Sequence, residues 1–265
     1  MQDFKNKELC MNKFLAFVFC GFLVSCAHQS NQDHLTMATL WAQKSGEARA
    51  LSYQAFNLAK RELSYKLRKK GKKPLAIVVD VDETVLDNSP YQARGILNGT
   101  GYPDGWRDWI NAAVAKPLPG AVEFLNYAHR RGVEVFYITN RKIIGLNPTI
   151  KNLKDTGFPV KEENVMCRTN TSSKKKRRSE VLKKYEIALL MGDNLGDFDE
   201  IFETDDLRRR NELVSKKKSM FGTKFIVLPN AMYGNWEGAV YNGNFKMSPK
   251  EKSKVRYNSL EAFKL

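Results

Sequence analysis

The most distinctive part of the chain is the stretch Ile77-Val78-Val79-Asp80-Val81-Asp82-Glu83-Thr84-Val85-Leu86. It opens with β-branched residues, a pattern typical of a buried strand. It then presents three acidic residues within four positions. A buried strand that leads straight into carboxylates is unfavourable unless the charge is compensated. A metal ion together with a phosphoryl group would compensate it, so we ask what the rest of the chain adds to Asp80 and Asp82.

Length and composition indicate a globular protein. The chain has 265 residues, of which 42% are hydrophobic, and it includes 15 Phe, 10 Tyr and 4 Trp. This fits one large α/β domain, or one domain with a small insertion, and excludes a disordered chain. The formal net charge of +15 is typical of proteins that meet polyanions, membrane surfaces or phosphorylated small molecules. Charge alone does not choose among these partners.

The first 33 residues read as a targeting segment and a tether. Lysines at positions 5, 7 and 13 precede an apolar run from Phe14 to Val24, which is shorter than the roughly 20 residues of a membrane span. A basic start and a short apolar run are typical of a signal peptide. The run closes with Leu23-Val24-Ser25-Cys26, which resembles a bacterial lipobox. An uncleaved anchor and an ordinary secretory signal are the alternatives.

We therefore predict a lipoprotein signal peptide over residues 1–25, lipidation of Cys26, and a polar tether over residues 26–33. The protein is expected at the bacterial cell envelope, held to the membrane by its lipid, and Ala27 is compatible with sorting to the outer membrane. Cys10, Cys20 and Cys26 all fall in this region, and only Cys167 lies beyond it. With no CxxC pair, the cysteines do not form a metal site.

Strand and helix patterns alternate through the rest of the chain. Strands are predicted over 75–79, 133–138, 165–166, 188–191 and 224–228, and helices over 34–70, 121–131, 143–155, 174–185, 197–218 and 250–263. Alternation of this kind predicts an α/β fold: a Rossmann-like parallel sheet with helices on both faces. A glycine-rich stretch at about 87–118, with a helical patch from Trp106, predicts a small insertion, or cap, in a domain spanning residues 34–265.

Polar residues follow three of the predicted strands. They are Asp80 and Asp82, Thr139 and Asn140, and Asp193 and Asn194. Ligands of open parallel sheets bind beyond the carboxyl ends of the strands. The three strands are therefore expected to deliver these side chains to one edge of the sheet.

The acidic residues predict an oxygen-only metal site. Asp193 and Asp197 lie in Met191-Gly192-Asp193-Asn194-Leu195-Gly196-Asp197-Phe198, and with Asp80 they offer the hard ligands that suit Mg²⁺. The alternative for the pair Asp80 and Asp82 is a solvated acidic turn. The alternative for Asp197 is a charge that favours the start of a helix.

Thr139, Asn140 and the basic run Ser173-Lys174-Lys175-Lys176-Arg177-Arg178 are candidates for binding phosphoryl oxygens. Thr139 and Asn140 can equally cap a helix. The basic run can be a solvated helix face, which is the commonest fate of such runs, or a nuclear localisation signal, which the lipobox argues against.

These motifs resemble those of a known protein family. Asp80-Val81-Asp82-Glu83-Thr84 looks like motif I of the haloacid dehalogenase superfamily of phosphatases. The longer string from Ile77 to Tyr91, taken with Met191 to Phe198, resembles the two signatures of the class C bacterial acid phosphatases, which are envelope lipoproteins. The similarity covers nearly all of the chain after the signal peptide, including Trp-Glu-Gly at 236–238 and the lipobox.

The resemblance implies a role for each residue. Asp80 would be the nucleophile, and Asp82 would protonate the leaving oxygen and then activate water. Asp80, the main-chain carbonyl of Asp82 and Asp193 would bind Mg²⁺, with Asp197 and Arg177 in support. The phosphoryl group would lie against Thr139, Asn140 and Lys174, although Lys175 and Lys176 leave the register of the lysine open.

The substrates implied are phosphomonoesters, especially 5′-nucleotides, with the base held between Trp106 and Tyr233. The alternative for Trp106 is packing within the insertion. No specific nucleic-acid binding is expected. Two other functions stay open at this point: a phosphotransferase on the same scaffold, and a surface lipoprotein that binds ligands without catalysis.

Overall fold

The structure is a computed structural model, and it describes residues 32–69 and 71–263. Within these ranges no helix is both long and apolar enough to cross a membrane. The predicted signal peptide and the lipidation site Cys26 lie outside the described residues.

Five parallel strands form the main sheet, in the spatial order β5-β4-β1-β6-β7. The strands are β1 (Leu75–Val79), β4 (Glu134–Lys142), β5 (Val165–Arg168), β6 (Glu186–Gly192) and β7 (Phe225–Val227). Two short strands, β2 (Leu86–Asp87) and β3 (Lys116–Pro117), pair antiparallel outside this sheet. The strand that leads into Asp80 is therefore the central one, bonded along both of its edges.

Ten α-helices connect or flank the strands within the described ranges. They are α1 (Thr36–Lys44), α2 (Gly46–Leu67), α3 (Ser89–Asn98), α4 (Trp106–Ala112), α5 (Ala121–Arg130), α6 (Leu146–Asp155), α7 (Lys175–Lys184), α8 (Leu207–Lys216), α9 (Asn235–Val240) and α10 (Pro249–Asn258). Helices α3 and α4 lie between the paired strands β2 and β3, in the part of the chain where the insertion is predicted.

Side chains that alternate along β1 pack on opposite faces of the sheet. Ile77 and Val79 belong to one core, with apolar residues of α2, α5 and α6. Ala76 and Val78 belong to a second core, with Val181 of α7 and phenylalanines 198, 202 and 225. Because both faces of a parallel sheet are covered, its strands are apolar throughout rather than alternating. The predicted fold class, a parallel sheet with helices on both faces, is confirmed.

Several element boundaries differ from the sequence-based expectation. The helix predicted over 34–70 breaks at Ser45, whose extended backbone ends α1 and whose hydroxyl accepts a hydrogen bond from the Ala48 N–H to start α2. The stretch predicted as loop-rich contains the ten-residue helix α3. The predicted charged helix over 197–218 is instead two 3₁₀ turns followed by α8 and a further turn.

Candidate active site

Three neighbouring strands bring the candidate residues to one edge of the sheet. Asp80 follows β1, Asp193 follows β6, and Thr139 lies in the second half of β4. Because β4, β1 and β6 are adjacent and parallel, their carboxyl ends lie side by side. Strand β4 extends beyond the strand predicted over 133–138. Thr139, Asn140 and Arg141 therefore belong to β4 rather than to a loop after it.

Three carboxylates form a compact group at this edge. Asp80, Asp193 and Asp197 each offer an oxygen, and these oxygens all lie within 4.8 Å of one another. Asp197 reaches the group because Gly192 has no side chain: a Cβ there would lie 2.2 Å from Asp197 Oδ2. The same Oδ2 accepts a hydrogen bond of 2.9 Å from the Asn194 N–H, which fixes the turn that follows β6.

Lys174 is the lysine of the basic run that contacts this group. Its Nζ contacts Asp80 Oδ1 and lies 2.6 Å from Asp197 Oδ1, and its side chain is buried. Lys175 instead pairs with Glu200 at 2.8 Å, and Lys176 is exposed. The structure thus brings Lys174, and neither of its neighbours, to the carboxylates.

The charge of the group fits a divalent cation. Three carboxylates and one ammonium leave a formal excess of two negative charges in a buried setting. Burial, and then the neighbouring charge of Asp197, raises the pKa of Asp80 to about 7 despite the opposing effect of Lys174. Burial also raises the pKa of Asp193 well above its ordinary value. A hard cation bound to these oxygens would remove that cost, since carboxylate oxygens are its preferred ligands.

The side chain of Asp82 lies apart from the carboxylate group and is held by Arg141. The Arg141 Nη2 donates to Asp82 Oδ1 at 2.8 Å, and its Nε donates to the same oxygen at 3.0 Å. The Nη1 of Arg141 donates to Thr149 Oγ1 at 3.1 Å, so the buried guanidinium is bonded on both sides. The prediction that the main-chain carbonyl of Asp82 binds the metal stays a prediction.

Thr139 contacts Asp82, and Asn140 and Arg177 lie next to Thr139. Thr139 Oγ1 donates to Asp82 Oδ2 at 3.3 Å and accepts from the Arg141 N–H at 3.0 Å. Arg177 donates to the Thr139 carbonyl at 2.5 Å and to Asn140 Oδ1 at 2.8 Å. Arg177 therefore fixes the end of β4, with the Asn140 side chain exposed at the rim.

The two aromatic residues predicted to bind the base are Trp106, in α4, and Tyr233, in the loop before α9. Trp106 opens α4 and packs edge-on against Tyr91, with ring centroids 4.9 Å apart, while the Arg141 guanidinium lies 5.8 Å from its ring. Tyr233 is half-buried in the loop before α9, where its carbonyl accepts from the Trp236 indole N–H at 3.2 Å.

Several supporting residues were not predicted from the sequence. Asn230 Nδ2 donates to Asp193 Oδ2 at 2.8 Å. Arg178 belongs to the predicted basic run, but its donation to the carbonyls of Gly196 and Asp197, at 2.9 and 3.1 Å, was not predicted. Arg141 is the most important of these omissions. It stands two residues after Thr139, and this two-residue spacing would have placed both on one face of a strand had the strand been extended to include them.

Comparison with known proteins gives consistent matches. A model of the HAD superfamily, subfamily IIIB (acid phosphatase), matches residues 23–236. The class C acid phosphatase from Bacillus anthracis is 45% identical with a TM-score of 0.86, over 89% of this chain and 100% of that one. A second structure of that enzyme, with tungstate bound, is 46% identical with a TM-score of 0.86, over 88% and 99% of the two chains.

A curated class B acid phosphatase from Marinomonas sp. (strain MWYL1) is 29% identical over 136 residues. This match covers 48% of the present chain and 57% of the relative, so the chain spans little more than half the length of that protein.

Proposed function

Since the chain belongs to subfamily IIIB of the HAD superfamily, the acid phosphatases, we propose that it hydrolyses phosphomonoesters at the carboxyl edge of its sheet. The resemblance to class C acid phosphatases is confirmed by the solved structures. The observation that carries the proposed activity is the group of Asp80, Asp193 and Asp197 around the buried Lys174.

The proposed reaction has two steps. A carboxylate oxygen of Asp80 attacks the phosphorus, and the bond to the leaving oxygen breaks while Asp82 gives that oxygen a proton. Water then attacks the aspartyl-phosphate as Asp82 takes a proton from it, which frees inorganic phosphate and restores Asp80. Thr139, Asn140 and Lys174 are proposed to hold the phosphoryl oxygens, and Arg177 keeps the Thr139–Asn140 segment in place.

Asp80, Asp193 and the main-chain carbonyl of Asp82 would hold the divalent cation, with Asp197 in support, and when bound it would offset the negative charge that nucleophile and phosphoryl group bring together. We propose Mg²⁺, because the site offers oxygen ligands alone and its carboxylates leave two negative charges to neutralise.

For the substrate we propose 5′-nucleotides, with the base stacked on Trp106 and Tyr233. A stacked base contributes about 1–3 kcal/mol per aromatic contact. The Trp106 ring suits this role because contacts with Tyr91 and Arg141 fix its position. We further propose that the protein is attached to the cell envelope, in the outer membrane, by lipid on Cys26.

The test of the activity replaces the nucleophile. Asp80→Asn should lower the turnover of p-nitrophenyl phosphate by roughly 10³-fold or more, because the attacking carboxylate oxygen is lost while the shape is kept. The matched control is Asp155→Asn, at the exposed end of α6, which should retain full activity. Activity should also disappear with EDTA and return with Mg²⁺.

Circular dichroism and the thermal midpoint should show that the Asp80→Asn variant is folded. Turnover close to that of the wild type in this variant would contradict the aspartyl-phosphate mechanism. Undiminished activity after complete chelation would remove the metal from the proposal.

A further inference from the structure

The two oxygens of the Asp82 carboxylate have unequal surroundings. Oδ1 accepts three N–H groups: Arg141 Nη2 at 2.8 Å, Arg141 Nε at 3.0 Å and Asn88 Nδ2 at 2.8 Å. Oδ2 has one contact in the part of the chain that the structure describes, the Thr139 hydroxyl at 3.3 Å. A carboxylate oxygen has two lone pairs, so Oδ1 is fully occupied and Oδ2 is free to exchange a proton.

Asn88 can serve Oδ1 only in one orientation of its amide. Its Oδ1 accepts from the Trp109 indole N–H at 2.7 Å and from Arg141 Nη2 at 3.4 Å. Neither indole nor guanidinium can accept a hydrogen bond. Turning the amide over would set its NH₂ against these two donors and its oxygen against the Asp82 carboxylate. Because Asn88 is fully buried, water cannot relieve that conflict.

Trp109 therefore links the predicted insertion to Asp82. It lies on α4, three residues after Trp106, and it acts through Asn88 rather than by touching Asp82 itself. The backbone N–H of Asn88 is fixed as well, since it donates to Glu83 Oε1 at 2.8 Å.

We propose that Trp109 and Asn88 are positioning residues which, with Arg141, aim Oδ2 of Asp82 at the leaving oxygen of the substrate. This role rests on the proposed phosphatase function. In the first step the Oδ2–H bond breaks as the O–H bond of the departing alcohol forms. In the second step Oδ2 receives the proton that the attacking water loses. Arg141 and Asn88 keep Oδ1 out of both transfers.

The proposal predicts an effect that depends on the leaving group. p-Nitrophenolate departs without help from an acid, whereas a phenol or an alcohol needs the proton from Asp82. Trp109→Phe removes the indole N–H together with part of the ring system, and it keeps an aromatic side chain on α4. It should leave kcat/KM for p-nitrophenyl phosphate within about twofold and lower kcat/KM for phenyl and alkyl phosphates roughly threefold to tenfold, as expected for one lost hydrogen bond.

Two further variants complete the experiment. Arg141→Lys keeps the charge but cannot donate two parallel N–H groups to Oδ1, so it should show the same trend with larger losses. Trp41→Phe, on α1 and outside this network, is the matched control and should change none of the three rates.

Equal losses on all three esters in the Trp109 and Arg141 variants would show a merely structural role and would overturn the proposal. Unchanged rates on phenyl and alkyl phosphates would overturn it as well. A wild-type protein that hydrolyses none of the esters would refute the phosphatase function itself, which separates that failure from the failure of the positioning role.

Discussion

At the scale of single residues, the Lys174 ammonium group is the cation that offsets part of the carboxylate charge. It is buried between two carboxylates, those of Asp80 and Asp197. Burial opposes its charge, but Asp197 and Asp80 keep the pKa of Lys174 above its ordinary value. The lysine therefore stays charged and holds the nucleophile close to the turn that carries Asp197.

Lys174→Met should reduce both stability and turnover. The substitution keeps the length of the side chain but leaves two buried carboxylates without their cation, a change that costs about 3–5 kcal/mol in comparable buried pairs. Urea unfolding of the metal-free protein and hydrolysis of p-nitrophenyl phosphate measure the two effects. Lys176→Met, at an exposed position of the same run, is the control. Loss of stability and turnover in variants of Lys175 or Lys176, but not in Lys174→Met, would contradict the role assigned to Lys174.

At this scale the acidic residues, Lys174 and Thr139 were predictable from the sequence, whereas other partners of the carboxylates were not. Asp80, Asp82, Asp193 and Asp197 were predicted because carboxylates after apolar strands are unusual in themselves. Asn88, Arg141 and Asn230 are common polar residues whose importance comes from what they contact. Asn88 meets Trp109 across 21 positions of sequence and Asn230 meets Asp193 across 37, so no local pattern reveals either contact.

At the scale of elements, the strands of the sheet were the most predictable parts. Leu75–Val79 is found as predicted, since a run of β-branched residues bounded by Pro74 and by carboxylates has few other structures. Helix α3 was missed although Pro90 is its second residue and Gly99 follows its end with a left-handed backbone, φ +66°. Proline near the start and glycine just after the end are known helix signals, but glycines at 95, 99, 101 and 105 favoured a loop.

Ser45, between α1 and α2, is expected to stabilise the protein by capping α2. Ser45→Ala should lower the free energy of unfolding by about 0.5–2 kcal/mol, because α2 loses the hydroxyl that accepts the Ala48 N–H. Ser45→Asp keeps an acceptor at this position and should retain the stability. Urea titrations of the three proteins measure the difference, and equal stability of the alanine and aspartate variants would show that the hydroxyl does not matter.

At the scale of the whole molecule, the architecture was predictable while the location of the protein remains a proposal. Alternating strand and helix patterns predicted a parallel sheet covered on both faces, and the order β5-β4-β1-β6-β7 agrees with it. The order itself was not predicted, because strand neighbours are set by packing over the whole chain. The domain boundary at residue 34 and the extent of the insertion, about 87–118, stay predictions.

The lipid anchor has a direct test in a bacterial host. The full chain should label with radioactive palmitate and sediment with the membranes, because the proposed lipobox would deliver Cys26 to the lipidating enzymes. Cys26→Ser removes the thiol that would be modified and should abolish the label. Cys167→Ser, which removes the buried thiol on β5, is the matched control and should label as the wild type does. Equal labelling of the Cys26 variant would exclude this anchor.

The central position of β1 has a consequence for how the protein loses function. Strands hydrogen-bonded on both edges exchange their amide protons last, near the free energy of global unfolding, while peripheral segments open earlier. Asp80 stands at the end of such a strand, and Trp106 belongs to a short helix outside the main sheet. Mild denaturation is therefore expected to open α4 first, which would release the proposed contact of Trp106 with the base and the contact of Trp109 with Asn88 while Asp80 keeps its place. The proposed nucleophile would thus outlast both the proposed substrate-selecting contact and the contact that positions the acid.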